Sequence, residues 1–380
     1  MPVRATKRGA ARTALSGDFD VLICGASFAG LALARELRAT GARILVLDRY
    51  EIGERQTSAC AAPTAWLENL GLAASIRQTF GSLVVHTPRA DARWPLGWTF
   101  STFDYRELCD LLWAQRGDGT EFETAKVDGR SGTTVHTDRG DVSAPLVIDA
   151  LGWKRNLGAR LVQPPEARLS RGLEVHPGGA GGDLELWIDK RVIRAGYGWS
   201  FPAGDEVRVG IGSFDPRDHV KQPTVALADA VGLPPAGYQG NWIPHRLRPA
   251  VEDGIFFVGD SAGHCLPLTA EGIRTAFYFA IALGRELCDV LGGRQDRDAA
   301  LARYGAFSDA HRWKYESMLN VQHLIPRLSP RALARMTRLY SRPVPALWSF
   351  RHYLRIAPPE FALPGPPAAV SAGAAAAVAA

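Results

Sequence analysis

The 380-residue sequence predicts an α/β fold that carries an inserted antiparallel β-sheet and a C-terminal helical region. Three observations predict it. Near the start, "DVLIC" is a short apolar run fit for a buried parallel strand, "FAGLALARELRAT" repeats apolar residues at helical spacing, and "RILVLD" is a second buried run. In the middle of the chain, "RLSRGLEVHP", "DLELWIDK" and "VRVGIG" alternate apolar and polar residues, as half-exposed antiparallel strands do. From residue 296 onward the pattern is helical and basic.

Composition narrows the class. With 46% apolar and 22% charged residues the chain reads as an ordinary globular protein, long enough for more than one domain. The net charge is +5, but only six of the 44 basic residues are lysine, an arginine bias that does not by itself mark a nucleic-acid partner. Five cysteines, Cys24, Cys60, Cys109, Cys265 and Cys288, form no C-x-x-C pair, which argues against a disulfide framework or a metal cluster and for a reducing, cytoplasmic setting. No run reaches the roughly eighteen apolar residues of a membrane span. The basic start (1–17) lacks the apolar core of a secretory signal, and the alanine-rich end (359–380) is low-complexity; both read as disordered tails.

The first element has a physical reading. Gly25 follows the first strand at once, Gly30 opens the helix, and Asp48 ends the second strand, so strand, glycine turn, helix, strand and acid fall within about thirty residues, the order of a Rossmann-like dinucleotide unit. Ser27 stands where the middle glycine is usual. Serine is small, and its hydroxyl can donate to a phosphate at the positively polarised helix start, so a dinucleotide still fits. Asp48, with Arg49 beside it, would meet the ribose. The unit alone does not separate NAD from FAD.

Downstream lies "DGIFFVGDSAGHCLPLTAEGIRTAFYFAIALGRELCDVL": a strand ending at Gly259 and Asp260, a small-residue turn, then Glu271-Gly272 opening a long helix. It resembles the G-D motif of FAD-dependent enzymes with the p-hydroxybenzoate hydroxylase type of fold. The resemblance implies FAD, with Asp260 on the ribityl chain and Gly259, Gly272 and Ile273 as backbone contacts; a helix start suits the negative charge of a reduced flavin. A narrower likeness, from about residue 19 to 325, is to the geranylgeranyl reductase family. "VLDRYEIGERQTSAC" resembles the stretch leading to a flavin-side cysteine, here Cys60. "FDYRELCDLLWAQ" resembles the helix whose arginine, here Arg106, reaches the FAD pyrophosphate. "GYGWSFPAGDEVRVGIG" is similar to a Y-x-W-x-F-P signature, at Tyr197, Trp199, Phe201 and Pro202, and "GNWIPH" resembles an I-P turn at Ile243 and Pro244. The family usually has glycine where Ala270 stands and glycines after the cysteine where this chain reads "CAAP", so the pocket is expected to differ in shape.

The expected organisation is a discontinuous FAD-binding domain (18–78, 101–159, 250–295), a substrate-binding domain (79–100, 160–249) and a helical region (296–358). The run "PGGAGGD" reads as a hairpin loop between two strands. Cys60, Tyr197 and Trp199 are the expected catalytic group, Tyr197 and Trp199 sharing a face because side chains alternate along a strand. Glu271 reads as a capping acid, and His264 and Cys265 as loop-stabilising residues. No metal site is expected. The resemblance implies reduction of carbon–carbon double bonds in an apolar, prenyl-like substrate, with electrons from NAD(P)H, a reductase or ferredoxin.

An aromatic monooxygenase on the same fold is the alternative, although the acid usual in its A-D-G run is missing at Ala150-Leu151-Gly152. A flavin-dependent halogenase would need a lysine that is absent between Lys7 and Lys126, and a non-catalytic flavin or lipid-binding protein remains open. The arginine, tryptophan and leucine mixture after residue 296 fits either a solvated helical cap or a face that docks on a membrane surface, a peripheral placement.

Overall fold

A computed structural model of the chain describes residues 13–363 apart from 57, 160, 162 and 165. Most of the two expected tails, 1–12 and 364–380, lies outside the described residues. The apolar runs of the sequence build a six-stranded sheet in the order Val251–Glu252, Ile255–Phe257, Leu146–Asp149, Val21–Cys24, Ile44–Asp48 and Thr120–Thr124. All its pairs are parallel except the two-residue edge strand, as expected of strands buried on both faces. Cys24 pairs with both Leu47 and Asp149, so the carboxyl ends of three strands align and Gly25, Asp48 and Asp149 arrive at one edge. Helix Phe28–Glu36 packs on this sheet, and helix Ile273–Leu291 packs against that helix, burying Phe277, Phe279 and Leu283.

The second sheet has eight strands, ordered Gln239–Pro244, Leu169–Val175, Glu206–Ser213, Gly196–Ala203, Leu184–Trp187, Ile76–Thr87, Ala90–Phe103 and Ala61–Pro63. It corrects several expectations. Its pairs are antiparallel as expected, with one exception: Leu184–Trp187 runs parallel to Leu83–His86. The hairpin of residues 76–103 belongs to it whole and crosses the expected boundaries at 78 and 101; Ala61–Pro63 joins it through Phe100–Thr102. The "PGGAGGD" run does not turn a hairpin, since the Gly196–Ser213 pair lies between the strands it connects. Ile243 and Pro244 end an edge strand rather than forming a turn. "TTVHT" belongs to a separate three-stranded meander, Val127–Ser131, Thr134–Thr137 and Gly140–Ser143.

Four helices follow, Arg297–Asp309, Arg312–Leu324, Pro330–Tyr340 and Pro343–Leu354. The last two lie on the 76–103 hairpin, where the Trp94 indole donates to the Thr337 carbonyl (2.9 Å). Beyond them the expected tail is ordered to residue 363: Pro359–Ala362 forms a 3₁₀ turn, buried Trp66 donates to the Ala357 carbonyl (3.0 Å) and Asn69 to that of Pro359 (2.9 Å). Apolar Phe361, packed against Tyr278, is what the low-complexity reading missed. Trp66→Ala should lower stability by about 3–5 kcal/mol in denaturant unfolding and expose residues 357–363 to protease, because it opens a cavity and removes their anchor.

Candidate functional site

The glycine turn works by backbone contact. A Cβ on Gly25, whose φ is +118°, would stand 2.2 Å from the Ala150 carbonyl oxygen; one on Gly30 would stand 1.8 Å from that of Gly25. Neither position tolerates a side chain. Ser27 is the N-cap of helix Phe28–Glu36 but does not cap it through its side chain; its hydroxyl accepts from the Tyr105 phenol at 3.1 Å. Asp48 turns its two carboxylate oxygens to the amides of Ala26 (2.9 Å) and Tyr50 (3.1 Å), which locks the acid to the turn, while burial pushes its carboxyl up from the usual range. Arg49 is exposed and lies over the Tyr50 ring. Arg106 stands in the first turn of helix Tyr105–Ala114, exposed and without an acidic partner among the described residues, its backbone 3.0 Å from where a Gly53 Cβ would be.

The second glycine-centred turn meets the first. After the strand Ile255–Phe257 the chain enters a 3₁₀ turn, Gly259–Ala262, so the strand ends two residues earlier than expected. Gly259 has φ +65°, and a Cβ there would lie 3.1 Å from that of Ala29. Asp260 is half-buried. Desolvation raises its carboxyl to about 6 against the pull of Arg248. A Cβ on Gly272 would sit 3.6 Å from Asp260 Oδ1, and buried Ile273 begins the long helix there. Two bare-backbone turns in contact, an acid locked to the first and another carried by the second, and an unpaired arginine at the rim fit a dinucleotide with sugar hydroxyls and a pyrophosphate.

Sequence reading missed what holds this loop. Buried Asp149 accepts from Ser261 Oγ (2.6 Å) and from the amides of Leu151 (2.9 Å) and Leu157 (2.8 Å). Buried Arg155 donates to the carbonyls of Ser261 and Pro249, both at 2.8 Å, and lies 3.4 Å over the Phe257 ring. An acid closing an otherwise apolar strand, "LVID", was the available signal.

The expected catalytic residues lie on the second sheet and the turn entering it. Cys60 is fully buried at φ +49°; its carbonyl accepts from the Phe103 amide (3.0 Å) and from Arg208 (3.1 Å), and burial pushes its thiol well above its usual range. The Tyr197 hydroxyl donates to the Thr269 carbonyl at 2.7 Å and is also raised by burial. Tyr197 and Trp199 are neighbours on one face, ring centroids 6.1 Å apart. The Trp199 ring lies over a floor of glycines: a Cβ on Gly210 would fall 2.2 Å from it, and one on Gly212 3.5 Å. Its indole donates to Glu174 Oε2 (3.2 Å), whose other oxygen meets His176 Nε2 at 2.9 Å. Glu174, His176 and Arg208 went unread because their partners are distant in sequence.

Glu271 is corrected. It does not cap the helix; Gly272 is the N-cap, and the Glu271 carboxylate instead pairs with Arg274 Nε (2.6 Å) and accepts from the Tyr353 hydroxyl. Fully buried Arg274 in turn donates to the carbonyls of Leu354 (2.9 Å), Ala357 (3.2 Å) and Tyr353 (3.1 Å), tying the helix start to the C-terminal segment. His264 stacks on Phe279 at 3.6 Å and bonds Ser308 (3.0 Å), and Cys265 is buried beside Gly272. Leu268 and Ala270 sit at φ +70° and +52°, a region that favours glycine. Among the described residues no group of three or more His, Cys, Asp or Glu could hold a metal ion.

Two outcomes follow from this geometry. Gly30→Val should leave little folded protein, because the new carbon overlaps a carbonyl oxygen, whereas Ser27→Gly should cost about 1 kcal/mol or less, the loss of one hydrogen bond; circular dichroism and thermal melts check both. Ala270→Gly should raise stability by about 1 kcal/mol through relief of the left-handed conformation, seen as a higher denaturant midpoint.

No family model matches the chain. It is similar to digeranylgeranylglycerophospholipid reductase 3 of Methanosphaera stadtmanae, 25% identical over 77% of this chain and 83% of the relative, and to digeranylgeranylglycerophospholipid reductase 1 of Methanopyrus kandleri, 24% identical over 82% and 92%. A shorter stretch, 38% of this chain and 33% of the relative, is 28% identical to the chloroplastic geranylgeranyl diphosphate reductase of Nicotiana tabacum. Among solved structures, a geranylgeranyl bacteriochlorophyll reductase-like protein from Thermoplasma acidophilum has a TM-score of 0.76, covering 90% of this chain and 97% of its own at 17% identity. A probable FAD-dependent monooxygenase from Pseudomonas aeruginosa reaches 0.65, over 84% and 99%, at 19% identity. The chain is therefore similar in sequence to geranylgeranyl reductases and has the fold of the FAD-dependent oxidoreductases.

Proposed function

We propose that the chain is an FAD-dependent reductase that saturates carbon–carbon double bonds in a prenyl or comparably apolar substrate. The observation that carries this reading is the aromatic wall. Trp199 lies flat on glycines, its one polar atom is turned to Glu174, and Tyr197 ties the same strand to the loop before the long helix. Such a wall offers an apolar chain contact without competing hydrogen bonds. The match to two digeranylgeranylglycerophospholipid reductases over most of their length supports a prenyl substrate.

FAD would be held by the Gly25–Gly30 turn and Arg106 at the pyrophosphate, with Ser27 facing it, by Asp48 with Arg49 at the ribose, and by Asp260, Gly259, Gly272 and Ile273 toward the flavin. When bound and reduced it would supply the hydride, its electrons coming from NAD(P)H, a reductase or ferredoxin. The protein must add a proton to the neighbouring carbon. An isolated alkene has no carbonyl to polarise it, so water must be excluded and the acid well placed. The Tyr197 proton is committed to Thr269 O, which makes Tyr197 the tether of the wall. Burial keeps the Cys60 thiol protonated at neutral pH, and Arg208, bonded to the carbonyls of Ala59 and Cys60, stands ready to stabilise the thiolate left after transfer. Cys60 is the proton donor in this reading.

Anaerobic reoxidation of the reduced protein by a geranylgeranyl compound tests it. Cys60→Ala should keep FAD and slow this step by about 10²- to 10⁴-fold; Trp199→Ala should mainly weaken substrate binding, by about 2–4 kcal/mol. Reoxidation by oxygen but by no prenyl compound would replace the reductase with a monooxygenase. FAD affinity carries a pH signature. The Asp260 carboxyl accepts from sugar hydroxyls most strongly as the anion, so affinity should fall, by at most about tenfold per pH unit, below about 6. In the FAD-free protein the sign reverses: a carboxyl raised in the folded state contributes most below its unfolded value near 4, and that stability is lost as pH rises through about 6. Flavin-fluorescence titrations and melts across pH 4–8 check both, with Asp260→Asn removing each dependence.

A further inference from the structure

Between Glu316 and Glu360 the chain carries seven arginines and no acidic residue. The helices Pro330–Tyr340 and Pro343–Leu354 fall inside this stretch and turn their inner faces to the 76–103 hairpin: Leu333, Ala334, Thr337 and Ala346 are buried, and Trp98 reaches the Phe350 carbonyl. Their outer faces have a pattern. On the first helix Arg331, Arg335 and Arg338 recur at helical spacing, and Arg342 continues the row just past its end. On the second, Val344, Leu347, Trp348 and Arg351 form one stripe that Arg355 extends. Val344 is 81% and Trp348 64% exposed, with Leu339 and Leu347 exposed beside them. None of the seven arginines has an ion-pair partner among the described residues.

We propose that this helical pair is a docking surface for an anionic lipid bilayer, with Val344 and Trp348 entering the acyl boundary and the arginines meeting the lipid phosphates. The chemistry selects the partner. Large aliphatic side chains kept in water beside unpaired cations are what an interfacial helix presents, an apolar stripe for the membrane and positive charge for its headgroups. A second copy of the chain fits poorly, because an isologous contact would set one acid-free arginine face against another. No helix among the described residues is long and apolar enough to cross a membrane, so the contact is at the surface. Tyr353, in the last turn of the second helix, meets Thr269 and Glu271 through its hydroxyl, so about 14 Å of helix from Val344 joins the docking face to the loop that Tyr197 touches. An apolar substrate drawn from the bilayer would arrive beside the aromatic wall.

The test is co-sedimentation of the full chain with vesicles of pure phosphatidylcholine and of phosphatidylcholine with phosphatidylglycerol, at low and physiological salt. Binding is expected only to the anionic vesicles and should weaken with salt. Val344→Glu with Trp348→Glu should abolish it, and Arg338→Gln, Arg342→Gln and Arg351→Gln together should weaken it about 100-fold, near fivefold per charge. All five positions are exposed, so unchanged melting curves show that the fold is kept. Failure to bind anionic vesicles, binding that survives both sets of substitutions, or a dimer that these substitutions split would each overturn the proposal. Vesicle binding needs no turnover, so its outcome is read separately from the reoxidation assay.

Discussion

The close approach of bare backbone at the carboxyl end of the parallel sheet is the constraint on which the rest of the molecule depends. Gly30 packs onto the carbonyl of Gly25, Gly25 onto that of Ala150, and Gly259 onto Ala29, so three segments far apart in sequence meet with almost no side chain between them. Parallel strands make this meeting available, because their register brings every carboxyl end to one edge. What the contact leaves there is amides, a helix start and two carboxylates, which is the chemistry of a dinucleotide site. Asp149 and Arg155 serve the same contact from behind. They satisfy the amides and carbonyls that the tight loop cannot pair internally, and buried groups of that kind must be paired.

The second sheet repeats the device for a different purpose. Glycines at 210 and 212 clear space on its face, and Trp199 fills that space lying flat. Glu174 takes the indole N–H, and His176 engages the other oxygen of the carboxylate, so the polar groups are satisfied at the edge and the ring's face stays apolar. Around this wall three non-glycine residues, Cys60, Leu268 and Ala270, hold positive φ. Strain of this kind persists only where surrounding contacts impose it. Here Arg208 grips the Cys60 turn, and Tyr197 the loop between Leu268 and Ala270. Glycine would hold these conformations more cheaply, so the methyl of Ala270 reads as a change in pocket shape carried at some cost in stability.

The C-terminal helices are more than a cap. Arg274, buried at the start of the long helix, binds three carbonyls of the segment 353–357, and Glu271 and Tyr353 close the same cluster. A buried guanidinium is stable only when its donors are used, so the helix start and the C-terminal segment are held as one unit. This couples the basic outer face of the last two helices to the loop bordering the aromatic wall.

Much of this was legible in the chain order. The apolar runs, the glycines that follow them and the acids that end them specify the parallel sheet and its turns, because burial on both faces and positive φ are local demands that residue type alone meets. The Tyr-x-Trp alternation likewise determines which side chains share a face. What only the tertiary structure decided is partnership. That Glu271 pairs with Arg274 and Tyr353 instead of capping, that Glu174 takes the Trp199 indole N–H, that the 76–103 hairpin joins the second sheet through a parallel neighbour, and that residues 359–362 pack against the core all depend on contacts between distant segments. Such contacts leave no periodicity in the sequence, because a charge or an aromatic ring reads the same whether it faces water or a partner three hundred residues away.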